Sequence, residues 1–364
     1  MVRPLKITYL FESTTLWGGT KAAFEQAEAL FDAGHDITIV SKDSGPDWYP
    51  LKLSVVPSPN LDAAAIPESD IIVGTFWPTV KTAYESGKGI AVHLCQGYEG
   101  ACKEYHSVKA EIDKVYSYRI PKLTVSPHMN GFLKERFGAE TYFIGHMLNR
   151  EIFHPSENKK RENTHGPLTI LVVGPFEADV KNIPSALKGI ALAVKMLSIP
   201  VKLVRASQFP LTSEEKTIIE PDVYHFHVPY HAMGEIYRNV DLLVSMSKEE
   251  EGFGLPALEA MGCGVPVILS KISSYTSFDM PLDYALFVDP SDYRALAEAI
   301  VELFHNRPLR IRLKQRGLVV ADKFTKEKMV NRMERAFEEI KRTHGRSKLK
   351  RALLKKFSTF RCSG

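Results

Sequence analysis

Short apolar runs rich in β-branched and aromatic residues alternate along the chain with longer stretches in which apolar residues recur every three or four positions. Lys6 to Phe11 (KITYLF) reads as a strand, the loop ESTTLWGGT follows, and Ala22, Phe24, Ala27, Leu30 and Phe31 then keep helical spacing. Gly34 stands where a helix stops, and DITIVS resumes as a second strand. A strand, helix, strand unit of this kind predicts parallel pairing, since parallel neighbours need a crossover. The pattern continues through IIVGTF (Ile71 to Phe76), GIAVHLC (Gly89 to Cys95) and KLTVS (Lys122 to Ser126).

Beyond Phe153, His154 and Pro155 the chain enters SENKKRENTHGP, a polar stretch with almost nothing to bury, which reads as a linker. A second alternation follows, with strands expected at LTILVVG, VKLVRA, VYHFHV, DLLVSMS, VPVILS and LFVD. The fold expected is therefore α/β, two Rossmann-like, doubly wound parallel sheets facing a central cleft, with ligands at the carboxyl ends of strands. The expected boundaries are 1–155 for the first domain, 156–324 for the second, 325–345 for a helix crossing back to the first, and 346–364 for a tail.

Length fits this division, because 364 residues at about 150 per domain is more than one domain. Hydrophobic residues at 44% supply real cores, which excludes disorder as the main state. Nine of the 47 basic residues lie from Lys341 onward, where no acid stands, so the rest of the chain is mildly acidic and a general nucleic-acid binder is not expected. In the tail, Leu349, Leu353, Phe357 and Phe360 recur at helical intervals among lysines and an arginine. That pattern suits an anionic membrane surface, and equally a solvated or body-packed tail. The cysteines Cys95, Cys102, Cys263 and Cys362 form no metal-finger spacing, and no leader or membrane-spanning run is seen, so the expected location is the cytoplasm, with the tail at the inner membrane face.

The stretch most suggestive of chemistry is Glu251-Gly-Phe-Gly-Leu-Pro-Ala-Leu-Glu259, between a strand and AMGCGVPVILS. Gly252 and Gly254 let a ligand approach the backbone where a helix begins, and the unpaired N–H groups of Phe253, Gly254 and Leu255 favour an anion there. A nucleotide sugar suits this layout: diphosphate at the helix start, Glu259 on ribose hydroxyls and Glu251 on sugar hydroxyls. The same residues also read as a strand-to-helix turn with two solvated acids.

Residues Glu251 to Val267 resemble, almost letter by letter, the signature EGFGLP-x-x-EAM-A/G-x-G-x-PV of the retaining, GT-B-fold glycosyltransferases of family 4, with its E-x7-E pair. The resemblance implies transfer of a sugar from a nucleoside diphosphate donor to a hydroxyl acceptor, with retention and without a metal. It implies Glu259 as ribose ligand, Glu251 as the contact to donor sugar or phosphate, Lys181 on the diphosphate, and Gly18 and Gly19 facing the phosphates across the cleft. Pro175 follows Gly174 where such proteins often carry an arginine, so a second cation is expected to join Lys181. Arg205 is placed for that, or for a structural salt bridge. Val228, beside His227, is expected near the base.

The family's first-domain histidine has no clear counterpart. His93 falls inside a strand and reads as packed, which leaves Gln96 and Glu99 as acceptor or sugar contacts. The segment Gln96-Gly-Tyr-Glu99 resembles the rhamnosyltransferase branch, and the acceptor expected is a saccharide or lipid-linked saccharide in polysaccharide or glycolipid synthesis. Competing readings are a nucleotide-sugar epimerase or hydrolase and a noncatalytic nucleotide-sugar-binding scaffold. The first lacks the E-x7-E match, and the second would show tight binding without turnover.

Overall fold

The computed structural model describes residues 3–156 and 167–359, with side chains to residue 344. Its strands form two sheets, every neighbouring pair parallel. The first contains β1 (Lys6–Phe11), β2 (Asp36–Ser41), β3 (Val55–Pro57), β4 (Ile71–Gly74), β5 (Ile90–Cys95), β6 (Lys122–Thr124) and β7 (Thr141–Phe143), in the order β3-β2-β1-β4-β5-β6-β7. The second contains β8 (Leu168–Val173), β9 (Val201–Ser207), β10 (Val223–Phe226), β11 (Leu242–Ser245), β12 (Val267–Ser270) and β13 (Leu286–Val288), in the order β10-β9-β8-β11-β12-β13. The first-domain helices are α1 (Gly18–Asp32), α2 (Trp77–Ser86), α3 (Lys109–Tyr116) and α4 (Pro127–Phe137). The second domain carries α5 (Ile183–Met196), α6 (Ser213–Ile218), α7 (Met233–Arg238), α8 (Leu255–Gly262), α9 (Ser273–Thr276), α10 (Tyr293–His305) and α11 (Arg307–Ala321), and α12 (Lys326–Thr359) follows.

The central strands are predominantly apolar because both faces are covered. In β1, Ile7, Tyr9 and Phe11 join a cluster with Phe24 and Leu30 of α1, while Leu10 joins Val40, Ile72 and Val80 in another. The sequence pattern does not mark β3 and β7, each three residues long and without a buried residue, because they carry too little apolar sequence to stand out. Chain order reverses beside β1 and β8, each the third strand of its sheet, and loops leaving their carboxyl ends open a crevice there.

The two domains meet through shared apolar surface: Phe24, Trp48 and Tyr49 of the first belong to one cluster with Phe153, Tyr230 and Tyr237. The polar stretch 157–166, read as the linker, lies outside the described residues. A second crossing occurs where α11 gives way to α12. There the chain after β7 is joined to the chain between α11 and α12, Leu148 N donating to Phe324 O at 2.9 Å and Arg150 pairing with Asp322 at 2.5 Å. α12 buries Met333, Phe337 and Ile340, and Glu334 and Lys341 reach His35 at 3.2 Å and Asp70 at 2.7 Å on the first domain.

The crossing helix and the start of the expected tail form one continuous helix, α12, to Thr359. The side chains behind the membrane reading, from 346 on, lie outside the described residues. Among the described residues no helix is long and apolar enough to cross a membrane.

Candidate functional site

A cleft of about 340 Å³ opens between the domains at the carboxyl ends of β1 and β8. Gly18, Gly19, Gln96, Lys181, Val228, Glu251, Phe253, Gly254, Leu255 and Glu259, named from the sequence, all line it.

Glu251 sits in the loop between β11 and α8, only 9% exposed. Its Oε2 accepts from Lys181 Nζ at 2.6 Å and from Ser247 Oγ at 3.0 Å. Behind Ser247, the Tyr275 hydroxyl donates to Ser247 Oγ at 3.1 Å and lies 2.6 Å from Ser245 Oγ, so a chain of hydroxyls holds the carboxylate in place. Lys181 ends a single 3-10 turn, Asp179–Lys181. Its stem lies over Gly174, where a Cβ would meet Lys181 Cγ at 3.3 Å.

Two glycines shape the entry to α8. Gly254 has φ +92°, and a Cβ there would fall 2.0 Å from the Tyr275 ring. A Cβ on Gly252 would fall 1.7 Å from the carbonyl oxygen of Gln96, in the opposite domain. Only glycine fits at either place, and backbone from both domains meets at the cleft. Pro256 carries no N–H and Ala257 N donates to Gly254 O at 3.1 Å, so the backbone left beside this gap is that of the entry residues Phe253, Gly254 and Leu255, which line it. Ser126 Oγ donates to Gly252 O at 3.2 Å, and Gln96 Nε2 to Gly19 O at 2.9 Å.

Glu259 lies within α8, 6% exposed. Its Oε2 accepts from the Tyr237 hydroxyl at 2.8 Å, and its Oε1 is paired with Lys21 Nζ of α1 across the cleft. Lys21 also stands 3.9 Å from Glu25, and 5.0 Å and 5.4 Å from the centres of the Tyr230 and Phe153 rings. Burial works to lower the Lys21 pKa, but Glu25 and Glu259 outweigh it and hold the ammonium above its ordinary value. Near by, His146 projects from the loop after β7 with its ring edge-to-face on Phe253 at 4.5 Å. Burial, then Lys21, push its pKa down to about 3, so the imidazole is neutral and can both donate and accept.

Arg205 takes the salt-bridge reading of the two given to it and loses the diphosphate one, and the contact role of Glu99 is corrected. Arg205 is fully buried: its Nε donates to Glu215 at 2.5 Å, and Nη1 and Nη2 to the carbonyls of Val172 and Gly174 at 2.7 and 2.9 Å. It ties β9 to β8 and α6 rather than facing a diphosphate, because Glu215, ten residues on, supplies a buried counter-charge. Glu99 lies off the cleft wall that Gln96 lines. Its carboxyl accepts from the Tyr116 hydroxyl at 2.5 Å, and burial lifts its pKa to about 7. His93, inside β5, is fully buried against the Tyr116 ring at 4.5 Å.

Lys21 and His146 were not singled out from the sequence. Lys21 carries a faint signal, a lysine at helical spacing with Phe24 and Glu25 on the buried face of α1. His146 carries none.

Residues 155–319 match the family model described as glycosyl transferases group 1. An uncharacterized glycosyltransferase of Methanocaldococcus jannaschii is 24% identical over 225 residues, 60% of this chain and 59% of its own length. O-antigen chain mannosyltransferase B of Escherichia coli is 36% identical over 88 residues, 24% of this chain and 23% of its own. The chain thus spans at most about three-fifths of the length of these curated relatives. In three dimensions, HepE of Anabaena, solved in complex with UDP-glucose, superposes with TM-score 0.74 at 13% identity, covering 94% of this chain and 99% of that one. Sucrose-phosphate synthase from Thermosynechococcus elongatus superposes with TM-score 0.73 at 17% identity, covering 92% and 99%. The fold is GT-B.

Proposed function

We propose that this chain, which carries a group 1 glycosyl transferase domain over residues 155–319, moves a sugar from a nucleoside diphosphate donor to the hydroxyl of a saccharide acceptor, with retention at the anomeric carbon. One observation carries the reading: Glu251 and Glu259 flank the start of α8 in a single cleft, and Lys181 stands 2.6 Å from Glu251. The carboxylates are acceptors for sugar and ribose hydroxyls, while the lysine and the backbone at the entry to α8, Phe253 to Leu255, suit the diphosphate between them. The UDP-glucose bound to HepE supports this, and the mannosyltransferase relative favours polysaccharide or glycolipid synthesis.

In the step itself the bond from anomeric carbon to phosphate oxygen breaks, and the acceptor oxygen bonds to that carbon on the same face. The acceptor proton passes to the departing phosphate. Lys181 and the entry backbone of α8 stabilise charge growing on the leaving oxygen, so fixed protein charge takes the part a metal has elsewhere. Gln96 and His146, on the first-domain wall, are placed for acceptor or sugar hydroxyls.

The test is a thermal-shift panel of UDP, GDP, dTDP, ADP and their sugar conjugates, with and without EDTA. Ligand at 100 times its dissociation constant adds about 2.7 kcal/mol, so one nucleotide should raise Tm, with EDTA making no difference. With that donor, Glu251→Ala should lose about 100-fold or more in turnover while keeping its unfolding midpoint. No shift with any nucleotide, or full activity of Glu251→Ala, would sink the reading.

A further inference from the structure

Two ammonium groups and two carboxylates line the cleft, and each ammonium is already seated on a carboxylate: Lys181 on Glu251, and Lys21 on Glu259. With His146 neutral, the charges cancel. A donor diphosphate brings about two negative charges into this balance. Its sugar and ribose hydroxyls are the groups that would replace the ammoniums as carboxylate partners, which frees both cations beside the diphosphate.

Resting on the donor reading above, we propose that Lys21 is the second cation for the donor diphosphate, supplied by the first domain. In the empty cleft Glu259 holds its ammonium. When ribose hydroxyls take Glu259, Nζ turns to the phosphates on its four-carbon stem. The second domain leaves this role open, since Pro175 follows Gly174 and the Arg205 guanidinium is committed to Glu215 and two carbonyls. Lys21 is placed to fill it, on the first turns of α1 just past Gly18 and Gly19, which line the same cleft. Its charge is kept although the residue is 8% exposed, because Glu25 and the Tyr230 and Phe153 rings surround Nζ as well. One cation thus arrives from each domain, and the diphosphate is bound fully only when the domains are together.

Calorimetric titration of the wild type, Lys21→Met and Lys21→Arg tests this, with inorganic pyrophosphate, the four nucleoside diphosphates and the matching nucleosides as probes. Loss of a charge-assisted contact predicts that Lys21→Met binds pyrophosphate and the preferred diphosphate about tenfold or more weakly. The nucleoside should bind as well as before or better, because Glu259 has lost its competitor, and Lys21→Arg should keep most diphosphate affinity. Equal weakening of nucleoside and diphosphate would overturn the proposal in favour of Lys21 merely positioning Glu259, and no change in either would leave it a domain-seam residue. If the wild type binds neither pyrophosphate nor any diphosphate, the donor reading falls with it. Should Lys21→Met fail to fold, Lys21→Gln combined with Glu259→Gln is compared with Glu259→Gln alone. A further tenfold loss for pyrophosphate supports the second-cation role, and no further loss overturns it.

Discussion

Glu99 shows what burial does to a single side chain. Its carboxyl accepts from Tyr116, and burial raises its pKa from 4.5 to about 7. Between those values the folded protein keeps a proton that the unfolded chain has released, so this group lowers stability as pH rises through the window. Glu99→Gln should remove the decline and be more stable than wild type at pH 8 by about 2 kcal/mol, less than the whole shift since the residue is partly exposed. Urea midpoints at pH 5 and pH 8 decide it: parallel declines in both proteins would assign the window to another group. At this scale the sequence was legible where one contiguous segment makes the site. Glu251 and Glu259 are eight positions apart on one loop and helix, and their spacing survives folding. Lys21 and His146 acquire meaning only when the domains dock, and the choice between the two readings of Arg205 fell to the salt bridge, whose partner Glu215 is set by helix packing invisible to a local pattern.

Among the elements, α8 depends most on its entry. The left-handed Gly254 immediately precedes Leu255 and Pro256, and a proline there costs no hydrogen bond since the first amides of a helix have no intrahelical partner. Gly254→Ala would place a methyl against the Tyr275 ring and force an alanine into φ +92°. The combined strain is about 3 kcal/mol. We expect that loss in urea unfolding together with loss of the nucleotide-induced Tm rise. A variant that unfolds early yet responds normally to nucleotide would separate the helix entry from binding. The central strands were visible from their apolar runs, and so were the edge strands β10 and β13; β3 and β7, three residues long and without a buried residue, carry too little apolar sequence to stand out.

For the molecule as a whole, the contact of Gly252 with Gln96 decides how closely the domains approach. A side chain at 252 collides with the opposite backbone, and neither domain can yield within its own fold. Gly252→Ala should therefore leave each domain folded but hold the cleft open, seen as a larger radius of gyration in X-ray scattering and loss of transfer. An unchanged scattering curve with full turnover would show that the domains can slide past the added methyl.

The chain after β7 and the chain between α11 and α12 run side by side, fastened at Leu148 to Phe324 and at Arg150 to Asp322. Bodies joined by a single thread can twist, tilt and swing independently. A double strap with its strands tied together suppresses the first two and leaves a swing about one line, as in a door on its pintles. If the domains part to admit a ligand, this strap brings the lips of the cleft back in the same register, with Lys21 opposite Glu259.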